Sequence, residues 1–150
     1  MPTRLKDFAT TVVAVVEPDA SAMAAAQLMR LHHIGALVVV DAKEKTRPVG
    51  MLTDRDLVLS LMAEGLDPLV FTVGDIMSVE LVLANGEMDA MDAVQLMRTN
   101  RLRRLIIVDD AGQLSGIVTM EDVLEFLTRE LANLAAGVIG ARDREFEQRH

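Results

Sequence analysis

Gly50-Met51-Leu52-Thr53-Asp54-Arg55-Asp56 returns sixty-six residues later (116 minus 50) as Gly116-Ile117-Val118-Thr119-Met120-Glu121-Asp122. The flanks return with it. Met29-Arg30 is answered by Met97-Arg98, and Ala36-Leu37-Val38-Val39-Val40-Asp41 by Arg104-Leu105-Ile106-Ile107-Val108-Asp109, both at a spacing of sixty-eight (97 minus 29). The two-residue difference falls in the loop between Asp41 and Gly50. A duplication at this period predicts two small units, each too short for a robust core alone and stable once packed on the other. A pseudo-twofold pair of this kind carries clefts at its seam.

Each copy reads as strand, helix, strand, strand, helix. In the first, a β-branched run at residues 12–16 stops at Pro18-Asp19. Asp19 or Ser21 then caps a helix with Met23, Ala24, Leu28 and Leu31 on one face, and Gly35 suits a left-handed C-cap behind His32-His33. Residues 37–40 lack polar alternation, which predicts a strand buried on both faces. A charged hairpin loop (41–47), a return strand (49–52) and a helix opened by Thr53, running through Leu57, Val58, Leu61 and Met62 to near Gly65, complete the copy. The second repeats this with a strand at 81–84, a turn at Asn85-Gly86, a helix at 89–98, a hairpin around Asp109-Asp110-Ala111-Gly112 and a helix opened by Thr119. The expected fold is therefore α/β (α+β), two tandem β-α-β-β-α repeats packed through their sheets. The first repeat with its N-terminal arm takes residues 1–68, the second 69–128, and a helical extension and tail 129–150.

In that extension Leu124, Leu127, Leu131, Leu134 and Val138 are spaced 3, 4, 3, 4, a heptad seam. It either packs on the chain's own core or pairs with a partner helix in a dimer. Gly137 and Gly140 are expected to end the helix, with residues 142–150, His150 included, as a solvated tail.

Composition narrows the function. Fifteen Lys+Arg against 23 Asp+Glu give a formal charge of −8, a poor match for a nucleic-acid backbone. With no Tyr or Trp and four Phe, stacking platforms for bases are also missing. No apolar run approaches a membrane span and the N-terminus lacks a signal-peptide core, so a cytoplasmic protein with no membrane partner is expected. Zero cysteines exclude disulfides, Cys-ligated zinc, iron–sulfur clusters and a cysteine nucleophile. Adjacent His32 and His33 do not face one way and have no carboxylate cluster beside them, so no metal site is expected. No base–nucleophile pair or serine elbow appears; the chain is not expected to be an enzyme or to carry a catalytic cofactor. The ten Met residues are expected to fill core gaps.

The doubled Gly-h-h-Thr-x-x-Asp, where h is apolar, has two readings. Thr53 with Asp56, and Thr119 with Asp122, are spaced as capping boxes, which alone would explain both residues. The same geometry can hold a nucleotide: free N–H groups at a helix N-terminus receive phosphate, and a carboxylate accepts from both hydroxyls of a ribose. Arg98, Arg101, Arg103 and Arg104 reverse the global charge locally. Arg98 and Arg101 complement a helix C-terminus, while Arg103 or Arg104, at the entry to a buried strand, can reach a phosphate. Their counterparts in the first copy are Gly35 and Ala36, small residues beside open backbone that suit a flat base. The two clefts are therefore expected to be unequal.

These residues resemble a tandem pair of cystathionine β-synthase (CBS) domains, a Bateman module, from about Thr11 to Phe126. The resemblance rests on Val16-Glu17-Pro18-Asp19-Ala20, on His33-Ile34-Gly35-Ala36-Leu37-Val38-Val39-Val40-Asp41, on both Gly-h-h-Thr-x-x-Asp segments and on Arg101-Leu102-Arg103-Arg104-Leu105. It implies an adenosyl ligand (AMP, ADP or ATP, with NAD(H) or S-adenosylmethionine as the other choices), a homodimer formed through α-helices, and a signalling role toward an effector protein. It places ribose on Asp56 and Asp122, ribose or phosphate on Thr53 and Thr119, phosphate on Arg103 or Arg104, and base near Gly35 and Ala36. The chain departs from the family pattern at Val38 and Ile106, where Pro is frequent, and at Glu121, an acid beside the phosphate position. The alternative is a ligand-free structural dimerisation module in which the Thr and Asp pairs are caps only.

Overall fold

Period-two alternation within two apolar strands sets the layering. In β2 (Ala36–Val40), Leu37 and Val39 join a core with helix α1 (Ala22–His32), while Val38 and Val40 join a different core. In β5 (Arg104–Val108), Leu105 and Ile107 pack toward α4 (Ala90–Asn100), and Ile106 meets Val38 and Val40. Each sheet thus carries helices on one face and the other sheet on its opposite face. That is why neither strand shows polar alternation.

The computed structural model describes residues 3–149; Met1, Pro2 and the tail residue His150 lie outside the described residues. The first sheet has the order β1 (Val15–Val16), β2, β3 (Pro48–Thr53), with β1 parallel and β3 antiparallel to β2. The second repeats it with β4 (Leu83–Asn85), β5 and β6 (Leu114–Thr119). Helix α2 (Asp54–Asp56) follows β3 and continues as a π-helical stretch, Leu57–Met62; α5 (Met120–Arg149) follows β6. The α/β architecture of two repeats joined through their sheets is as the sequence predicts.

The register of each hairpin slips by one residue at the same place, between Val39 and Val40 and between Ile107 and Val108. The motif glycines sit beside these bulges for a steric reason. A Cβ on Gly116 would lie 2.9 Å from the backbone oxygen of Thr10, and one on Gly50 would lie 2.6 Å from Met77 Sδ and 3.0 Å from Ser78 O. Ser78 and Thr10 bridge to Met51 and Ile117 through paired backbone hydrogen bonds of 2.9–3.0 Å. Gly50 and Gly116 admit these crossing segments, a stronger reason than loosening a strand.

The crossing segments extend the duplication backward. Arg4 bridges Asp89, and Thr72 bridges Ser21; Arg4 and Thr72 are sixty-eight apart (72 minus 4), as are Thr10 and Ser78. The arm holding the 3-10 turn Leu5–Asp7 therefore corresponds to α3 (Val73–Ile76). Each covers one repeat's core: Leu5, with Phe8 and Ala9, packs in the second, and Val73, with Ile76 and Met77, in the first. The arm that precedes the first repeat in sequence lies against the second, where Phe8 stacks on Phe126 at 5.0 Å.

One local alternative is resolved and two local expectations are corrected. Ser21 rather than Asp19 caps α1, its Oγ accepting from the Ala24 N–H at 3.0 Å. The left-handed C-cap is His33 (φ 53), matched by Arg101 (φ 55) in the second repeat, and Gly35 does not have positive φ. Gly35 is small because a Cβ there would stand 2.9 Å from Asp54 Oδ2. Finally, α5 runs through Gly137 and Gly140 to Arg149, so residues 142–149 are helix rather than tail. Leu124, Leu131, Leu134 and Val138 are exposed, and only Leu127 of the predicted seam packs on the core.

Candidate functional site

Both Gly-h-h-Thr-x-x-Asp segments end a β-strand and begin a helix, so each Thr becomes an N-cap and each Asp the N3 residue. Thr53 Oγ1 accepts from the Asp56 N–H at 3.2 Å, and Asp56 Oδ2 accepts from the Thr53 N–H at 2.9 Å. Thr119 and Asp122 repeat the pair at 3.0 Å in both directions. The capping reading therefore holds in full. It occupies one carboxylate oxygen of each Asp; Oδ1 of Asp56 and of Asp122 has no hydrogen-bond partner among the described residues.

Two clefts of about 190 and 240 Å³ lie at the seam between the repeats. Each is walled by the start of a central strand, the end of a hairpin strand from the other repeat, and the segment that crosses before β1 or β4. The first brings together Thr53, Asp56 and Arg104 with Ser78, Glu80, Leu81, Val82, Leu102 and Ile106. The second brings together Gly35, Ala36, Arg104 and Thr119 with Thr10, Val12, Val13, Ala14 and Ile34. Arg104 lines both, because it stands at the sheet junction opposite Thr119 in the β5–β6 register.

The clefts differ in charge, and the difference comes from their acids rather than from the arginine, which they share. Asp56 and Glu80 face Arg104 in the first, whereas Arg104 is the one charged residue among those lining the second. Position by position, Glu80 in the first cleft stands where Val12 stands in the second. An anion is accepted more readily where no carboxylate opposes it.

Two of the eight candidate residues line neither cleft. Asp122 is half-buried under Thr119 as a cap. Arg103 turns to the exposed surface and pairs with Glu121, its Nη2 donating to Oε1 at 3.2 Å. The Glu121 carboxyl is held below the ordinary glutamate value by its own backbone N–H and by Arg103 and Arg104. Arg103 is thus engaged with Glu121, and Arg104 is the arginine that lines the clefts. His32 and His33 lie exposed at the helix end, and among the described residues no group of three or more His, Asp or Glu is placed to hold a metal ion. No helix is long and apolar enough to cross a membrane among the described residues.

The residues that sequence reading missed are those of the crossing segments: Thr10 to one side, Ser78 and Glu80 to the other. They carry no motif. Extending the sixty-eight-residue comparison backward, to residues 4–10 and 72–78, is the signal that finds Thr10 and Ser78; Glu80, opposite Val12, carries none.

Comparison with known proteins agrees with this architecture. The family model for the CBS domain matches twice, at residues 5–63 and 73–129. The CBS domain-containing protein YhcV of Bacillus subtilis is 42% identical over 133 residues, covering 89% of each chain. An uncharacterized protein of Methanopyrus kandleri, MK0525, is 43% identical over 108 residues; the match takes in 72% of this chain but 54% of that one. Among solved structures, the CBS-domain protein ATU1752 of Agrobacterium tumefaciens superimposes with a TM-score of 0.73 at 30% identity, over 83% of this chain and 93% of that one. Two matched units, related by the duplication and joined through their sheets, lead to one conclusion: this chain belongs to the CBS-domain family and carries two CBS domains in tandem.

Proposed function

We propose that this chain is a regulatory module that binds an adenosyl ligand in the clefts between its repeats and works as a homodimer. The observation that carries this reading is the convergence of Gly35, Ala36, Arg104 and Thr119 on one cleft. Small residues and open backbone line it together with a guanidinium; the helix behind Thr119 has its Met120 N–H taken by Arg103 O and its Asp122 N–H by Thr119 Oγ1. Base and phosphate are the two groups such a lining accommodates. Solved CBS-domain pairs of the same fold supply the ligand chemistry. That of MJ0100 is in complex with 5'-methylthioadenosine and S-adenosyl-L-methionine (TM-score 0.76, 24% identity), and PAE2072 of Pyrobaculum aerophilum is complexed with AMP (TM-score 0.73, 21% identity). An AMP, ADP or ATP ligand fits the Arg104 end best, since its phosphate gives the guanidinium a partner. S-adenosylmethionine, a cation at its sulfonium, fits the acid-lined first cleft better.

In this reading Asp56 takes ribose in the first cleft through the oxygen that capping leaves unused, Asp122 meets a ribose that extends past Thr119 out of the second, and Thr53 and Thr119 add hydroxyl contacts. Bound ligand touches both repeats at once. It therefore favours one relative orientation and passes occupancy to an effector protein through the shape of the dimer. An apolar cavity of about 430 Å³ between α1 and the π-helical stretch, lined by Met23, Leu57, Leu61 and Met62, supports association through helices. The ligand-free reading keeps one observation in its favour, that Thr and Asp are fully accounted for as caps.

The test is direct because the chain has no Trp or Tyr. Bound adenine would dominate its ultraviolet spectrum near 260 nm. Purified protein should show that band or gain thermal stability with AMP, ADP or ATP. Protein with neither, against those ligands, NAD(H) and S-adenosylmethionine, would leave the dimerisation module as the function.

A further inference from the structure

From residue 131 to residue 141, α5 contains no charged side chain, and every residue is exposed. Leu131 and Leu134 keep 67% of their surface and Val138 51%. The same stretch holds Gly137 and Gly140, each costing a helix about 1 kcal/mol relative to Ala, with no atom beyond their own helix within 4 Å of where a Cβ would stand. An uncharged, glycine-containing helix whose side chains stay this exposed is marginal in water. A partner is what this stretch lacks.

We propose that residues 131–141 pair antiparallel with the same residues of a second copy of this chain. The inference rests on the homodimer reading above and adds to it a second contact surface. Continuing the heptad, the seam positions are Leu131, Leu134, Val138 and Ala141. Antiparallel pairing about a twofold near Ala136 sets Leu134 against Val138 of the second copy and Leu131 against Ala141, large residues against smaller ones. Ala135 and Gly137 then meet their own counterparts beside the axis, and side chains that small let the two backbones close in. Charge decides the direction. Glu130 and Arg144 occupy equivalent flanking positions on either side of the uncharged stretch, so antiparallel pairing joins Glu130 of each copy to Arg144 of the other, twice by symmetry. Parallel pairing puts Glu130 against Ala135 and makes no such pair. Ile139 lies off the seam and takes no part.

The absence of cysteine makes single-Cys variants of the full chain a clean test. With a short bis-maleimide, Ala135→Cys should link to itself. Leu131→Cys should not, yet mixed with Ala141→Cys it should give the mixed dimer. Glu130→Arg should weaken dimerisation roughly three- to tenfold, and adding Arg144→Glu should restore it. Self-linkage of Leu131→Cys with none at Ala135→Cys would mean a parallel pair and overturn the proposal. A chain that sediments as a dimer but links at neither position would sink this surface alone. A chain that sediments as a monomer would sink the homodimer reading with it. Helix content by circular dichroism checks that each variant is folded.

Discussion

Asp122 and Asp56 each give one oxygen to a helix cap and keep the other free of partners among the described residues. A cap of this kind is worth about 1 kcal/mol, so Asp56→Ala and Asp122→Ala should each lower the melting temperature by roughly 2–4 °C. If the free oxygen serves a ribose, ligand affinity should fall more than tenfold at the same time; calorimetry with AMP or ATP against thermal melts separates the two. Arg104→Ala should weaken a phosphate-bearing ligand by a similar factor with little change in melting temperature. The glycines make a second prediction. Gly116→Ala faces a backbone oxygen at 2.9 Å, whereas the nearest obstacle to Gly50→Ala is the flexible end of Met77. Denaturant unfolding should show the first losing roughly 1–3 kcal/mol and the second less. The Thr and Asp roles were legible in sequence because a cap is made within three residues. The reason for Gly35 was not, since the Asp54 side chain that crowds it comes from nineteen positions on (54 minus 35).

Among elements, the N-terminal arm departs most from sequence order. It is held on the second repeat by Leu5 N–H to Met88 O at 3.0 Å, by Lys6 N–H to Gly86 O at 2.9 Å, and by Arg4 and Lys6 on Glu87. The Lys6 hydrogen bond, then Lys6 and Arg4 charge, lowers Glu87 below its ordinary value of 4.5. A depressed carboxylate contributes stability above 4.5, and that contribution is lost as pH falls through the folded value. Hydrogen exchange at the Leu5 and Lys6 amides, corrected for intrinsic rates, should thus lose protection below about pH 4.5. In Glu87→Gln, protection should already be reduced at neutral pH and should no longer change there. Helices illustrate the same divide between near and far. The heptad of α5 was legible as spacing, but that it is exposed, and that the helix continues through two glycines, depends on what α5 meets in space.

For the whole molecule, Val38, Val40 and Ile106 form a core that neither repeat owns. Ile106→Ala should cost about 2–5 kcal/mol and should shift one cooperative transition, because the two sheets share that core. Scanning calorimetry that resolved two separate transitions would contradict it. The shared core also sets the clefts, since residues from both repeats can line one cleft only if the sheets are locked face to face.

The sequence by itself determined the duplication, the strand and helix order, the capping pairs and the inequality of the two copies. All of these are local chemistry or a comparison of the chain with itself. Tertiary structure decided which repeat each crossing segment covers, that Arg104 rather than Arg103 lines the clefts, and that one cleft joins Gly35 and Ala36 to Thr119. Those outcomes depend on pairings between segments far apart in the chain, where the energy comes from burying a shared core and no spacing rule applies.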